Sequence, residues 1–291
     1  MPIHTSKNNW VLETDNTAYA LGLNANGMLA HRYWGPKLGR LEDYPAAMNS
    51  DGWASINSEG EVVPEEFPGY AGAKYIDPCL KVSFSDGVRD VVLQFDSSEI
   101  VQNGPENKLE NELRIHLKDA HYPFRVTLHY RLHHEFDLLE RFVTVHNDSP
   151  TPITLERIFS AQWHLPQTGR YRLTHLAGTW FKETQILREP LENGLKVLES
   201  RRITTSHQHN PWFAVDHRDF PSSEDTGDVW FGCLAWSGNW KLSAEVTVFA
   251  STRINIGLND WDFAMRLNPN SSFVTPSSIA GFSSTDRKSV V

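Results

Sequence analysis

The stretch RVTLHYRLH at residues 125–133 alternates polar and apolar side chains along its whole length. Val126, Leu128, Tyr130 and Leu132 occupy every second position, and charged or hydrogen-bonding residues fill the positions between them. A period of two places one set of side chains on one face of a β-strand and the other set on the opposite face. The stretch therefore predicts a strand with one buried face and one polar face.

The same period of two recurs through the rest of the chain. NELRIHLKD (111–119), LSAEVTV (242–248) and RINIGL (253–258) alternate in the same way, whereas VWFGCLAW (229–236) is continuously apolar, as expected of a strand covered on both faces. Hairpin turns are predicted at five dipeptides that favour positive φ: Asn26-Gly27, Asp51-Gly52, Asp86-Gly87, Asn103-Gly104 and Asn193-Gly194.

Helical patterns are few and short. PLENGLKVLESRR (190–202), PEEF (64–67) and PSSIAGFSST (276–285) each give a weak helical signal, and no internal repeat or low-complexity linker divides the chain. We therefore predict a single all-β domain over residues 1–291, built as a large antiparallel two-sheet structure with few short helical segments.

Composition excludes several classes of partner. The 291 residues carry a formal net charge of -9, so clustered positive charge for nucleic-acid phosphates is missing. No apolar stretch is long enough to span a bilayer, and the first ten residues do not resemble a signal peptide. Two cysteines, Cys79 and Cys233, do not form a disulfide framework. We expect a cytoplasmic protein that binds neither nucleic acid nor membrane.

The stretch SRRITTSHQHNPWFAVD at residues 200–216 is open to three interpretations. His207 and His209 would share one face of a strand, a spacing that zinc sites use. Arg201 and Arg202 suggest recognition of a carboxylate or phosphate. Packing is the third interpretation, and it is favoured over metal binding because the sequence supplies no further ligand. No metal and no cofactor are predicted.

Residues 40–75 depart from the strand pattern. They mix proline, glycine and acidic residues with the aromatic residues Tyr44, Trp53, Phe67 and Tyr70. Long irregular segments in compact domains are usually functional or form interfaces. The aromatic side chains could stack on sugar rings or pack against a partner domain.

Sequence motifs of catalysis are missing from the chain. It has no glycine-rich phosphate loop, no His-Glu-x-x-His helix and no Gly-x-Ser-x-Gly elbow. Glycoside hydrolysis needs two carboxylates about 5 to 10 Å apart, and among 36 acidic residues nothing in the sequence singles out a pair. No catalytic residue is assigned.

Eight stretches in order together carry a family resemblance. They are WVLETDNTAYALGLNANGMLAHRYWGPKL, EEFPGYAGAKYIDPCLKV, LLERFVTVHNDS, ERIFSAQWHLP, THLAGTWFKETQ, SRRITTSHQHNPWFAV, FGCLAWSGNW and NPNSSFVTPSSIAGFSSTD. From about Trp10 to Asp286 the chain resembles the N-terminal β-supersandwich domain of family 36 glycoside hydrolases, the α-galactosidases and their relatives. The resemblance identifies residues 200–215 as a signature of that domain rather than a zinc site.

The resemblance implies that catalysis belongs to a different domain of the parent enzyme. Family members have this sandwich, a central (β/α)8 barrel with both catalytic aspartates, and a C-terminal β-domain. A barrel takes about 250 residues, so no barrel is expected within this chain. We therefore expect no hydrolysis by the chain alone. The implied role is to shape the cleft for terminal α-galactosides and to carry contacts between subunits of a homo-oligomer.

One departure from the family pattern concerns sugar specificity. Many members carry a Gly-Asp-Tyr-Arg-like stretch at the end of a loop that reaches a neighbouring subunit, whereas this chain reads AKYID, with Lys74 in place of the acid and Ile76 in place of the arginine. Loss of both charged groups removes their hydrogen bonds to a substrate or a neighbour.

We predict one surface that faces the barrel or a neighbouring subunit. Its residues share a polar-aromatic character in a chain that otherwise alternates cleanly: Trp53, Tyr70, Trp180, Arg201, His207, His209 and Asn210. Two other functions stay open. One is a free-standing carbohydrate-binding module, and the other is a mutarotase-like enzyme in which His207 and His209 would converge with an acid such as Glu183.

Overall fold

A computed structural model describes residues 3–50, 58–72, 74–103, 110–167 and 169–285. The described residues form twenty strands. The strands are β1 (Ile3–Ser6), β2 (Asn9–Glu13), β3 (Thr17–Leu23), β4 (Leu29–Pro36), β5 (Leu80–Ser83), β6 (Leu93–Asn103), β7 (Glu110–Asp119), β8 (Phe124–His133), β9 (Leu138–Asn147), β10 (Ile153–His164), β11 (Tyr171–Thr179), β12 (Lys182–Pro190), β13 (Gly194–Glu199), β14 (Trp212–His217), β15 (Val229–Leu234), β16 (Trp240–Val246), β17 (Thr252–Leu258), β18 (Met265–Leu267), β19 (Ser271–Val274) and β20 (Ser278–Ser283).

Helices are short. The described residues contain one four-residue α-helix, α1 (Glu59–Val62), and two 3-10 turns, Leu41–Asp43 and His134–Phe136. The Glu61 carboxylate accepts a hydrogen bond from the backbone N–H of Ser58 at 3.1 Å, which holds the start of α1. In the part of the chain that the structure covers, no helix is long and apolar enough to cross a membrane.

The strands pair antiparallel in two large sheets and one small sheet. The ten-stranded sheet has the order β12-β11-β14-β15-β20-β9-β8-β7-β6, with β19 also on β9. The six-stranded sheet has the order β13-β16-β17-β10-β18, with β5 also on β10. Strands β1 to β4 form a four-stranded sheet in sequence order. The all-β antiparallel sandwich that the period of two predicts is confirmed, and the N-terminal four-stranded sheet is an addition to it.

The core lies between these sheets. Strand β8 buries the four apolar side chains that the sequence predicts, Val126, Leu128, Tyr130 and Leu132, in one cluster with residues of β10 and β17. Its polar face is also partly buried: the His129 ring bonds the Glu112 carboxylate at 3.0 Å on β7 and the Thr144 hydroxyl at 2.9 Å on β9. Because these polar side chains are hydrogen-bonded across strands, they can be buried on a face that alternation alone predicts to be exposed to solvent.

Turn chemistry follows the sequence where the structure describes it. Gly27, Gly87 and Gly194 have φ of 80°, 90° and 117°, so each supplies the left-handed backbone that its predicted turn requires. The turns predicted at Asp51-Gly52 and Asn103-Gly104 include residues outside the described ranges.

Four details of the sequence prediction are wrong. Residues 190–202 and 276–285 hold strands β13 and β20 instead of helical turns, because each strand finds cross-strand partners in a sheet. PEEF is likewise not helical, and the short helix lies just before it. Strand β16 ends at Val246, and the following turn leaves Val248 80% exposed instead of buried.

Candidate interaction surface

Ser200–Asn210, the 200–210 segment, is an irregular stretch between β13 and β14. Its first half is bound to the start of β16 and to the loop before it, because Ser200 N–H donates to Trp240 O at 3.0 Å and Thr205 N–H donates to Ser237 O at 2.8 Å. The segment is not the strand in which a His-x-His pair would share one face. His207 lies in a turn, and His209 makes a single bridge to Ala177.

The second half of the 200–210 segment is attached to the hairpin of β11 and β12. Gly178 N–H donates to Gln208 O at 3.3 Å, and Asn210 N–H donates to Leu176 O at 3.1 Å. Strand β13 belongs to the six-stranded sheet and β11 to the ten-stranded sheet. The segment therefore connects the two large sheets at one edge of the sandwich.

Trp180 lies at the tip of the β11–β12 hairpin, two residues beyond Gly178. The Trp180 side chain is 71% exposed and the neighbouring Phe181 is 84% exposed, and their rings meet edge to face with centroids 5.2 Å apart. Phe181 has φ of 67°, a left-handed conformation that is unfavourable for a bulky side chain. The backbone at the tip thus holds two large aromatic rings in solvent.

Further exposed apolar groups flank the 200–210 segment. The Arg201 guanidinium lies 4.9 Å from the ring centroid of Trp261 and forms an ion pair with Glu199. Ile203 is 87% exposed with φ of 69°, and its N–H donates to Asn239 Oδ1 at 2.6 Å. Trp261 and Trp236 are about half exposed, and Trp236 O accepts a hydrogen bond from the Thr205 hydroxyl.

An open groove of about 490 Å³ runs along this segment. Its wall is formed by Val197, Glu199, Arg201, Arg202, Gln208 and His209. The fold therefore brings Arg201 and His209, eight positions apart in sequence, to one wall. The groove is polar and carries charges of both signs, which suits a partner surface or a ligand with hydrogen-bonding groups.

His209 adjoins a polar cluster of which only His175 is buried. Its ring centroid lies 5.8 Å from that of His175, whose Nε2 bonds Glu189 Oε1 at 2.7 Å, and Lys196 Nζ contacts the same carboxylate at 2.8 Å. Burial, and then the nearby His175, hold the pKa of His209 below its usual value. Within the described ranges, the Nδ1 of His209 and the Oδ1 of Asn210 have no hydrogen-bond partner. Among the described residues no group of three or more ligating side chains could hold a metal ion.

Tyr70 lies in a different environment. Its N–H donates to Leu80 O at 2.8 Å, and its ring is flanked by Lys81 Nζ at 5.5 Å and the Arg89 guanidinium at 5.6 Å. The structure thus groups Trp180 with the 200–210 segment, which carries Arg201, His207, His209 and Asn210, and places Tyr70 beside β5. Trp53 lies outside the described residues.

Lys74 and Ile76, the two departures from the family pattern, have structural partners of their own. Lys74 Nζ lies 2.6 Å from Glu65 Oε2, and both side chains are largely buried. Ile76 is 9% exposed and lines a groove of about 430 Å³ together with Val246 and Phe249. The lysine neutralises an acid of its own domain, and the isoleucine shares a groove with residues of the β16–β17 turn.

The sequence analysis did not identify three exposed apolar residues of this surface. Trp236 ends a continuously apolar stretch that predicts a covered strand, but β15 stops at Leu234 and leaves the ring outside. Ile203 and Trp261 are single apolar residues among polar neighbours, in RRITT and LNDWD. For Ile203 and Trp261, the isolation of a large apolar side chain in a polar stretch is the signal that could have identified them.

The chain matches a family model and several characterised proteins. The model of the "Glycosyl hydrolase family 36 N-terminal domain" covers residues 27–268. The α-galactosidase AgaA of Geobacillus stearothermophilus is 29% identical over 94% of this chain and 39% of its own length. The α-galactosidase Mel36A of Lactobacillus acidophilus is 28% identical over 91% of this chain and 38% of its own length.

Solved structures agree with the sequence relatives. The galactosidase domain of the α-galactosidase–sucrose kinase AgaSK superposes with a TM-score of 0.88 at 26% identity, over 98% of this chain and 42% of that chain. The family 36 α-galactosidase AgaB of Geobacillus stearothermophilus gives the same TM-score and identity, with 98% and 41% covered. The chain thus spans about two fifths of the length of the relatives that it matches, and the part that it matches is their N-terminal domain. By this match the chain belongs to glycoside hydrolase family 36.

Proposed function

We propose that the chain is the non-catalytic N-terminal domain of an α-galactosidase-like retaining hydrolase that acts on terminal α-galactosides. The observation that carries the proposal is the asymmetry of the matches: the relative AgaA aligns over 94% of this chain but over only 39% of itself. Structures of AgaA variants in complex with raffinose and stachyose cover 96% of this chain and 41% of that one. We expect the parent enzyme to be cytoplasmic and oligomeric.

The buried carboxylates of the chain support a non-catalytic role. Burial raises the pKa of Glu66, which a general acid would need, but Glu66 is fully buried and paired with Arg141. Glu112 has a pKa of about 2: burial opposes ionisation, but hydrogen bonds from His129, Arg114 and Arg131 outweigh it. The first carboxylate is closed to substrate, and the second is held ionised by its partners.

We assign one surface to contact with the rest of the enzyme or with a neighbouring subunit. This surface is formed by the 200–210 segment and by the β11–β12 hairpin that carries Trp180. Trp180, Phe181 and Ile203 each expose more than two thirds of their surface. Concentrations of exposed large apolar side chains rimmed by polar groups mark interaction sites in soluble proteins. The charged groove beside them supplies polar contacts at the rim of such an interface.

Two assays test the proposal. The purified chain should not hydrolyse p-nitrophenyl α-D-galactoside above buffer, and turnover by the chain alone would contradict the non-catalytic assignment. Hydrogen–deuterium exchange of the isolated chain and of the longer polypeptide then tests the surface. Slower exchange at residues 178–183 and 200–210 in the longer polypeptide is expected, and unchanged exchange there would reject the contact.

A carbohydrate-binding module is the second candidate, favoured by the groove beside Arg201 and Trp261. Saturable raffinose binding that is lost in Trp261→Ala and kept in Phe136→Ala would support it. The mutarotase hypothesis has no comparable support. The Glu183 carboxylate accepts the Phe181 N–H within the hairpin tip at 3.0 Å, and no hydrogen bond between described residues joins it to His207 or His209.

A further inference from the structure

We propose that a cavity between β4 and the end of β10, the Arg32 cavity, binds a small organic carboxylate that carries a compact apolar body. The cavity has a volume of about 380 Å³, within the range of about 300–1,000 Å³ typical of small-molecule sites. Its wall includes Arg32 and Trp34 from β4, Pro45 from the following loop and Leu165 after β10. It shares no residue with the groove beside the 200–210 segment.

The backbone holds Arg32 in this wall. Strand β4 has a bulge at Arg32, because two consecutive residues of β3 pair with His31 and Tyr33. Bulges redirect side chains and are frequent beside functional sites. The guanidinium donates from Nε to Pro45 O at 2.6 Å and from Nη2 to Tyr44 O at 3.2 Å. These two carbonyl groups orient the guanidinium but do not neutralise its charge.

The positive charge of Arg32 has no counter-ion among the described residues. Arg32 is partly buried, and no Asp or Glu side chain within the described ranges forms an ion pair with it. Each of the other described arginines that is not exposed does form such a pair. Burial lowers the pKa of Arg32, and no carboxylate offsets that effect. A partly buried cation without a partner is costly, so the site favours an anion.

Hydrogen-bond donors remain available for that anion. A guanidinium has five N–H groups in a planar fork, and the two backbone carbonyls occupy only part of them. Arg32 Nη1 has no hydrogen-bond partner in the described part of the chain, and it is not one of the polar atoms that the fold seals from solvent. The same holds for the hydroxyl of Ser251, which also lines the cavity. The unused end of the fork matches the two oxygens of a carboxylate.

The remaining wall suits an apolar body. Trp34, Leu165 and three prolines present hydrocarbon surface, and the described wall contains no acidic residue that would repel an anion. His31 and His164 add only ring surface, because their Nδ1 atoms are sealed from solvent. Burial lowers the pKa of both rings, that of His164 to about 3, so neither is charged at neutral pH. One cation in an otherwise apolar wall therefore points to an amphipathic carboxylate.

The test is a titration of the intact chain at neutral pH with phenylacetate and with 2-phenylacetamide, followed by amide chemical shifts. The two probes have the same shape, and only the first carries a charge. We expect saturable shifts at residues 31–34 and 46–48 with phenylacetate, and about tenfold or more weaker binding of the amide, because charge-assisted hydrogen bonds are the stronger ones. No saturable shift up to about 50 mM phenylacetate, or equal affinity for both probes, would overturn the proposal.

Inorganic phosphate is the third probe, because it carries negative charge without an apolar body. It should bind about tenfold or more weakly than phenylacetate, since it gains no contact with the hydrocarbon wall. Phosphate binding at the same residues that is equal to or tighter than phenylacetate binding would overturn the assignment to organic carboxylates.

Variants make the result specific. Arg32→Gln should weaken phenylacetate binding by about tenfold or more, whereas Arg266→Gln, at an exposed arginine on β18 outside the cavity, should leave it unchanged. Ala46→Trp fills the cavity from its wall and should weaken binding of both organic probes. Unchanged phenylacetate affinity in Arg32→Gln, with a native circular dichroism spectrum, would contradict the assignment. Hydrolysis by the longer polypeptide is independent of this titration, so either proposal can fail alone.

Discussion

Arg141 Nη2 on β9 lies 2.8 Å from the Glu66 carboxylate inside the protein, where the two side chains are 3% and 0% exposed. The Tyr19 hydroxyl from β3 and the Tyr130 hydroxyl from β8 donate to the same carboxylate oxygen, at 2.7 and 2.9 Å. The pair therefore joins the four-stranded sheet, the ten-stranded sheet and the segment after α1. The two charges neutralise each other, so loss of either side chain would leave the other charge buried without its partner.

Removal of one partner of this pair is expected to be strongly destabilising. Glu66→Ala should lower the free energy of unfolding by about 3–5 kcal/mol, because an unpaired guanidinium is left in the core. Urea unfolding followed by tryptophan fluorescence measures this loss. The double variant Glu66→Met with Arg141→Met should lose less than the sum of the two single variants, because it leaves no charge unpaired.

An exposed ion pair is the matched control. Arg170 and Asp219 form a two-point contact at the surface, with side chains 65% and 46% exposed. Asp219→Ala should cost less than about 1 kcal/mol, because water screens and replaces the interaction. Equal losses for Glu66→Ala and Asp219→Ala would show that the Glu66–Arg141 pair is not the buried connection described above.

Acid should destabilise the fold through His31 and His164. Burial lowers the pKa of both rings, that of His164 to about 3, from the usual value of 6.5. The unfolded state therefore binds more protons than the folded state below pH 6.5. Stability is complete above that pH and falls as the pH decreases towards 3, by up to about 1.4 kcal/mol per pH unit for each ring.

The measurement is the free energy of unfolding between pH 7.5 and 5. His31→Asn should reduce the slope over this range, because one of the two titrating rings is gone. His134→Asn, which replaces an exposed ring in the 3-10 turn before β9, is the control for the histidine-to-asparagine change itself. A slope that is identical in the parent chain and His31→Asn would be inconsistent with a buried neutral His31.

Gly257 is expected to be required at the crossing of β17 with β10. A Cβ there would meet Ser160 N at 2.5 Å and Phe159 Cα at 2.6 Å, and both are backbone atoms beside the bulge in β10. Gly257→Ala should cost about 1–3 kcal/mol or more, because the two strands must separate. Gly39→Ala, where a Cβ has nothing within 4 Å, should change stability by less than about 1 kcal/mol. Similar unfolding midpoints for both variants would refute this close approach.

The hairpin tip should contribute to surface hydrophobicity and not to stability. Replacement of Trp180 and Phe181 by serine should reduce the binding of a hydrophobic dye, because both rings are largely in solvent. The free energy of unfolding should stay within about 0.5 kcal/mol of the parent value. Phe136→Ser, a change at a 70% exposed residue elsewhere, controls for the loss of any single exposed ring. A large loss of stability in the tip variant would instead place these rings in the core.

The strands were predictable because one physical rule dominates them. Alternation in RVTLHYRLH identifies the buried face of β8, and Asn-Gly or Asp-Gly dipeptides locate the turns at Gly27, Gly87 and Gly194. Strand ends were less predictable. Val248 continues the alternation of β16 in sequence, but the chain turns at Thr247, and only the tertiary position of that turn shows this.

The interaction surface and the stacking of the buried histidines depend on contacts between distant parts of the chain. The 200–210 segment is shaped by hydrogen bonds to Leu176 and Ser237, which no local pattern encodes. The His31–His164 stack joins residues 133 positions apart through a bulge at Arg32. Sequence could identify unusual residues such as His209 and Trp180, but the partners of each residue follow only from the fold.

The most direct test of the central claim is the mass of the native polypeptide in its source, detected with an antibody raised against residues 110–285. If the chain functions as the N-terminal domain of a family 36 hydrolase, the antibody should detect a single species of more than twice 33.1 kDa, and this species should carry α-galactosidase activity. A species at 33.1 kDa alone would contradict the account and would point to a free-standing module.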